Sequence, residues 1–287
     1  MADANVPTEL GPVPPPPTRT DDAILPYNEW ITIGKSNIYI DADKPQNNPI
    51  YKIAVDILRN TSFFRAFTVS SSIPSIYIQQ FWNTMTHNKE NNTYRCQLDE
   101  QWFEINKETL RNALHINPVL PDQPFSSPPN PEALLKFVND LGYPKEVTTL
   151  SSMSTNEMYQ PWRVLITLFN LCLTGKTSGH ERLRAPALQI LWGIVKGKNI
   201  DYAERIWEEF AHSINTFLDD KMKLENQRES KKWKSKSLIP SVRFTKLIIL
   251  HLQQTHNLHP RTGSSVHLAS DEHCVGNLKF FAKGTDQ

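Results

Sequence analysis

The chain of 287 residues carries 31 basic and 30 acidic side chains, which leaves a formal net charge of +1. This balance excludes a partner attracted by overall charge, so any nucleic-acid or membrane surface must come from a local patch. Hydrophobic residues make up 39% of the chain, which is enough to bury a core and excludes disorder throughout. The length fits one large domain or two small ones.

Cysteine usage and the apolar stretches indicate an intracellular protein of the cytoplasm or nucleus. Cys96, Cys172 and Cys274 are odd in number and far apart, unlike a secreted disulfide framework. The first residues lack the basic and apolar regions of a secretory signal. The longest nearly apolar stretch, residues 164–173, is too short for a membrane span, so we expect no membrane partner.

The N-terminal residues 1–22 are predicted to be a disordered, proline-rich tail. Pro7, Pro12 and the run 14–17 remove backbone donors and favour polyproline II. PxxP spacing occurs in this run, and a plain disordered terminus is the simpler interpretation.

Residues 31–116 are predicted to form a small α+β part. Asn48 and Pro49 are typical of a helix start, and the apolar spacing that follows predicts a buried stripe. Its members are Ile50, Ile53, Ala54, Ile57 and Leu58. A second short helix opens at Pro74, with Tyr77, Phe81 and Trp82 on its apolar side.

A β-hairpin is predicted next. Tyr94, Cys96 and Leu98 alternate with polar residues, residues 99–100 turn the chain, and residues 102–105 return. Asn106 then caps a short helix that carries Leu110, Ala113 and Leu114.

Six prolines within residues 117–131 exclude a helix or a central strand there, so this segment is predicted to be a linker or an extended surface loop. It marks the boundary before a mainly helical part, residues 132–287. Proline near the start and glycine just past the end delimit helices from Pro131 to Gly142, Pro161 to Gly175 and Pro186 to Gly197.

Two further helices complete the helical part. Asp201 and Glu204 have capping-box spacing, and the long stripe after them places Trp207 in the core. A last helix is predicted from about Pro240 to Gln254. Short strands are predicted around Val266 and Phe280.

Two motifs resemble chemical sites without completing them. Residues 174–177 end like a phosphate-binding loop, but Asn170 stands where the loop needs its first glycine, so we expect no nucleotide at Lys176. The histidines after residue 250 lack the paired cysteines of a zinc finger, and we interpret them as solvated or hydrogen-bonded surface residues rather than metal ligands. They are His251, His256, His259, His267 and His273, with Cys274 beside the last.

The strongest functional pattern is the basic segment, residues 221–236. It contains seven basic and two acidic side chains. Lysines would neutralise phosphates and Trp233 would stack on a base of single-stranded nucleic acid. The competing interpretation is a solvated loop whose tryptophan packs on the core. The candidate residues are Lys231, Lys232, Trp233, Lys234 and Lys236.

Many strings along residues 31–284 resemble a family of open reading frames that are repeated in some plant genomes and associated with retrotransposons. The family is often described as gag-like or retrovirus-related polyprotein. The resemblance implies a structural protein, and it assigns no site residue, cofactor or metal. The zinc knuckle, protease and polymerase motifs of a full polyprotein do not occur in this sequence. The strings include IGKSN (33–37), NPIYKIAVDILRNTSFFRAFT (48–68), IPSIYIQQFWNT (73–84), CLTGKTSG (172–179) and LQILWGIVKGKNIDYAERIWEEF (188–210).

These observations favour a non-enzymatic, retrotransposon-derived structural protein that binds single-stranded RNA or DNA weakly and without sequence preference, and that self-associates. One alternative is a protein-interaction module with a helix groove or the proline-rich tail as its surface. The other is an enzyme of unrecognised type, which a deep pocket with converging titratable groups would favour.

Overall fold

A computed structural model describes residues 19–34, 38–43, 49–116, 120, 122–174, 183–226, 238–256, 258 and 261. Helices dominate these residues, and a three-stranded antiparallel sheet and a two-stranded parallel sheet accompany them. The predicted mainly α fold with a small α+β segment is therefore confirmed.

Ten α-helices and five strands are described. The α-helices are α1 (Asp21–Ile24), α2 (Pro49–Arg59), α3 (Phe64–Thr68), α4 (Ser75–Asn83), α5 (Lys107–Leu114), α6 (Pro131–Asp140), α7 (Trp162–Thr174), α8 (Ala185–Lys196), α9 (Tyr202–Asn226) and α10 (Val242–Thr255). The strands are β1 (Thr32–Ile33), β2 (Thr86–Asn88), β3 (Thr93–Leu98), β4 (Gln101–Ile105) and β5 (Leu238–Ile239). Short 3₁₀ turns occupy Tyr27–Glu29, Leu150–Ser152 and Thr155–Glu157.

The predicted N-terminal tail is too long by four residues. Residues 1–18 lie outside the described residues, but residues 19–22 belong to the fold. The Thr20 hydroxyl accepts a hydrogen bond from the Ala23 N–H at 3.3 Å and caps α1. The prolines that predicted the tail end at residue 17, so nothing prevents this short helix.

Helix α2 forms where it is predicted, but its buried face is rotated. Ile53 is 50% exposed, whereas Tyr51 and Val55 are buried together with Ala54 and Leu58. Both sets of residues have helical spacing, so the sequence allowed either face to turn inward. The face that buries the larger aromatic side chain is the one that packs. Asn48, the predicted cap, lies outside the described residues.

The predicted hairpin is confirmed as β3 and β4, which pair from Tyr94 opposite Ile105 to Leu98 opposite Gln101. Asp99 turns the chain with φ of 51°. A third strand, β2, pairs antiparallel with β3 and was not predicted, because its three residues carry no apolar alternation. Helix α4 packs against β3 and is buried along almost its whole length.

The described residues of the proline-rich segment run along the helical part. The Ser126 N–H donates to the Asn199 carbonyl at 2.7 Å, and the Gln189 side chain donates to the Pro129 carbonyl at 3.0 Å. The Arg111 guanidinium lies 5.5 Å from the centre of the Phe125 ring. Buried residues from both sides of this segment form one hydrophobic cluster.

In the helical part, three helix ends lie at the capping residues that the sequence predicts. The Asn130 side chain caps α6, Gly197 ends α8 in the left-handed conformation, and the Asp201 carboxylate accepts from the Glu204 N–H at 3.0 Å at the start of α9. Trp207 was expected in the core but is only half-buried. Its ring lies against Tyr94, at 5.6 Å between centroids, so it covers the side of the core rather than filling it. The strands predicted around Val266 and Phe280 lie outside the described residues.

Strands β1 and β5, which lie far apart in the sequence, form a parallel pair with Ile33 opposite Ile239. The Gly34 N–H extends this pair with a hydrogen bond to the Ile239 carbonyl at 2.9 Å. A Cβ at Gly34 would lie 2.8 Å from that carbonyl oxygen, closer than real contacts allow. Glycine is therefore required for the backbones to approach.

Ser241 generates a prediction about stability. It precedes α10 with φ of 48° and is 1% exposed, and its hydroxyl has no hydrogen-bond partner among the described residues. Ser241→Gly removes both the left-handed strain and the buried hydroxyl, and we expect the free energy of unfolding to rise by about 1 kcal/mol. Urea unfolding measures it. Ser241→Ala keeps the strain and is the matched control, so equal stabilities of the two variants would contradict the assignment of strain.

Candidate nucleic-acid interface

The basic segment begins inside a helix. Residues 221–226 form the last turns of α9, so this part is not the inter-helix loop of the competing interpretation. The five predicted contact residues, Lys231, Lys232, Trp233, Lys234 and Lys236, lie outside the described residues.

Two of the seven basic side chains have local partners. Lys221 donates from Nζ to the Asn83 carbonyl at 2.8 Å and lies 3.4 Å from the Asn83 side-chain oxygen. Lys223 pairs with Asp220 at 3.3 Å, and both side chains are mostly exposed, so this pair contributes little to stability. Lys221 thus fixes the end of α9 against the end of α4.

The other border of the segment is fixed as well. Ile239 in β5 is fully buried and pairs with β1, and α10 starts three residues later. Residues 227–237 therefore connect two anchored elements. They contain five basic side chains and one acidic side chain, a net charge of +4.

Elsewhere in the fold, several of the described charged side chains pair with each other. Arg111 of α5 is 5% exposed at its side chain, and its Nη2 donates to Asp201 Oδ2 at 2.8 Å. Lys107 lies 3.4 Å from the same carboxylate oxygen. Burial raises the pKa of Asp201, but the hydrogen bonds from Arg111 and the Glu204 N–H and the two positive charges outweigh it, so this pKa lies below its ordinary value.

A second cluster joins α8 and α9. The Glu209 carboxylate is 4% exposed and accepts from Arg184 at 3.0 Å. Arg205 donates to the Gln189 side chain at 2.9 Å and pairs with Glu204 and Glu208. The Arg184–Glu209 and Arg205–Gln189 contacts link the two helices by hydrogen bonds to ionised groups, whereas the pairs with Glu204 and Glu208 lie within α9.

A third cluster lies at the hairpin turn. Asp99 accepts from the Tyr77 hydroxyl at 2.7 Å and from two nitrogens of Arg261, at 2.8 and 3.1 Å. Burial and the hydrogen bond to Asp99 raise the pKa of Tyr77. Arg261 also reaches Asp21 at 3.1 Å, so this cluster ties the start and the end of the described chain to the turn.

The structure describes only some of the histidines and residues that were considered for metal and nucleotide binding. His251 is half-buried on α10, and its pKa is lowered by burial and by the nearby His115 and His256. In the described ranges, no three His, Cys, Asp or Glu side chains are grouped to hold a metal ion. Lys176 and the histidines at 259, 267 and 273, with Cys274, lie outside the described residues.

An open cleft of about 460 Å³ lies beside α2 and α3. Asp41, Asp43 and Arg59 are among its lining residues. Arg59 donates to the Ala42 carbonyl at 2.6 Å and lies 3.7 Å from Asp43, so its cation is already bound to one wall. The charge of Arg59 is therefore paired with groups on the rim of the cleft and is not directed into the cleft.

No protein family, curated protein or solved structure matches the chain. Within the described part of the chain, none of the helices has both the length and the apolar character that crossing a bilayer requires.

The Asp201 cluster predicts a pH-dependent stability. Asp201→Asn keeps a side-chain oxygen for the helix cap but removes the charge that faces Arg111 and Lys107. We expect it to lower the free energy of unfolding at neutral pH by about 1.5–3 kcal/mol, the range for hydrogen bonds to charged groups. Because the pKa of Asp201 is lowered in the folded state, its ionised carboxylate stabilises the fold at pH values above the unfolded pKa of about 3.9. This stabilisation is lost as the pH falls.

The difference between wild type and Asp201→Asn should therefore shrink once pH falls below about 4. Denaturant unfolding at a series of pH values measures it. A difference that stays constant down to acid pH would contradict the role of the carboxylate charge.

Proposed function

We propose that this chain is a non-enzymatic, gag-like structural protein of retrotransposon origin that binds single-stranded RNA or DNA weakly and without sequence preference. The origin rests on the strings that resemble the plant retrotransposon family. The nucleic-acid role is carried by one observation: a stretch of net charge +4 is held between two anchored elements.

The four lysines at 231, 232, 234 and 236 are close together in the sequence. Each lysine that neutralises a phosphate releases a condensed counterion, and the affinity then depends steeply on salt. Trp233 lies between lysines in the sequence and supplies a surface on which any base can stack. Such contacts do not read base edges, so the proposal includes no sequence preference.

The test compares two variants of equal charge. The first changes the four clustered lysines, Lys231, Lys232, Lys234 and Lys236, to Ala. The matched control changes four exposed lysines on other elements to Ala: Lys52, Lys89, Lys136 and Lys196. Fluorescence anisotropy with labelled oligo(U) and oligo(dT) between about 50 and 200 mM salt, the range over which counterion effects are large, reports affinity.

We expect the clustered variant to lose most binding and its salt slope to flatten by about three, since each single-strand phosphate contact contributes roughly 0.7. The control should keep the wild-type slope, because its lysines are dispersed. Equal behaviour of the two variants would show that only overall charge matters.

Trp233→Ala separates stacking from packing. Stacking predicts a loss of about 1–3 kcal/mol in binding with an unchanged melting temperature. A core position predicts a lower melting temperature instead. If the wild-type protein binds neither oligonucleotide at low salt, the nucleic-acid role is wrong, and the protein-interaction module becomes the favoured hypothesis.

A further inference from the structure

Arg261 enters the fold through its side chain alone. That side chain is 5% exposed, whereas the residue as a whole is only half-buried, so its exposed surface belongs mainly to the backbone. The two described residues before it also stay near the surface, with His256 exposed and Leu258 half-buried against the core. A single buried arginine on an otherwise accessible backbone is typical of an anchor residue in a protein–protein contact.

The carboxylate that receives this guanidinium is positioned by other residues. The Asp99 N–H donates to the Gln80 side chain at 2.7 Å, and that side chain donates back to the Asp99 carbonyl at 2.8 Å. The Tyr77 hydroxyl donates to Asp99 Oδ2. None of these bonds involves Arg261, so α4 and the hairpin turn aim Asp99 Oδ1 by themselves.

The opposite wall comes from the start of α1. Thr20 caps this helix, and the helix packs on α4. The Asp21 carboxylate and the Arg19 carbonyl both accept from Arg261 Nη1, at 3.1 and 2.7 Å. Nε and Nη2 of Arg261 donate to the other wall, at Asp99 Oδ1. The guanidinium is therefore bound from two sides.

We call these groups the arginine pocket: the carboxylates of Asp21 and Asp99, the Arg19 carbonyl and the Tyr77 ring, whose centre lies 5.7 Å from the Arg261 guanidinium. Three nitrogens donate in two directions, which matches the planar fork of arginine, whereas a lysine has one nitrogen. An empty pocket would leave the Asp99 side chain, 10% exposed, without its cation, and such burial is unfavourable. The pocket thus favours a guanidinium from any chain that reaches it.

We propose that the arginine pocket is an exchange site between copies of this chain, in which Arg261 of a second copy takes the place of the chain's own Arg261. Every copy carries the arginine that fits, and exchange of an identical element preserves its contacts. Helix α10 ends at Thr255, and the six residues to Arg261 span up to about 20 Å when extended. The proposal goes beyond the proposed function and does not involve nucleic acid.

The chain's own Arg261 competes with that of the second copy. A ligand on a short tether has an effective concentration in the millimolar range. Wild-type protein is therefore expected to be monomeric at micromolar concentration, with each pocket filled by its own arginine. Exchange is revealed when one copy lacks the arginine and the other lacks the pocket.

Two complementary variants create this situation. The acceptor, Arg261→Ala, keeps the pocket, and the donor, Asp21→Asn with Asp99→Asn, keeps the arginine. Asparagine tolerates the left-handed backbone of position 99. Sedimentation velocity over a concentration series should show a 1:1 dimer in the mixture and monomers of each variant alone. The matched control is a donor that also carries Arg261→Lys, which should form no dimer with the acceptor.

A synthetic peptide of residues 256–264, HNLHPRTGS, probes the pocket without a second fold. Isothermal titration should show that the acceptor binds it, and that a peptide with lysine at position 261 binds about 10- to 150-fold more weakly, the loss expected for hydrogen bonds between charged groups. Wild-type protein should bind the arginine peptide roughly tenfold or more weakly than the acceptor does, because its own Arg261 competes.

Circular dichroism checks that both variants fold. Arg261→Gln replaces Arg261→Ala if the latter is unstable, since glutamine still donates one hydrogen bond to the pocket. If the acceptor binds neither peptide, or binds the arginine and lysine peptides equally, the arginine pocket is wrong. If the arginine peptide binds but the mixture stays monomeric, exchange between copies is wrong.

Discussion

The buried guanidinium of Arg243 is the interaction on which the rest of the fold depends. Arg243 has no exposed surface, and it donates to the carbonyls of Ala66 and Val69 at 2.8 and 2.9 Å and of Cys172 at 3.3 Å. These carbonyls belong to the C-terminal ends of α3 and α7, where helices leave carbonyls without partners and carry partial negative charge. A cation from α10 therefore satisfies the ends of two other helices. Its ring neighbour is Phe244, at 4.6 Å.

This constraint explains how residues on both sides of the proline-rich segment share a core. Helix α10 also packs on α4 and α5, and its Thr245 hydroxyl accepts a hydrogen bond from the buried Trp82 indole at 3.1 Å. Once α10 is fixed, β5 is fixed beside β1, and so is one border of the basic segment. Lys221 fixes the other border against α4. The scaffold thus holds both borders of the basic segment within one unit.

Features set by neighbouring residues could be predicted from the sequence, whereas features set by long-range contacts could not. The caps at Asn106, Asn130 and Asp201 were predictable because they depend on residues within one turn. Ile53 was misplaced because two faces of α2 have helical spacing, and only packing selects one. The charge of the basic segment was readable from composition. The outward position of Trp102 follows from alternation with its buried neighbour Phe103, but the stacking of Arg95 needs the strand register, which the sequence does not supply.

Urea unfolding of Arg243→Met tests the central claim most directly. Methionine fills much of the space but donates no hydrogen bond, so two buried carbonyls and one partly buried carbonyl lose a donor, each worth about 1–3 kcal/mol. The matched control is Arg65→Met, because Arg65 lies on α3 itself and is exposed. We predict that Arg243→Met lowers the free energy of unfolding by about 3 kcal/mol or more, and that hydrogen exchange speeds up in α3, α7 and α10 together. Stability of Arg243→Met equal to that of Arg65→Met, or faster exchange confined to α10, would contradict the account.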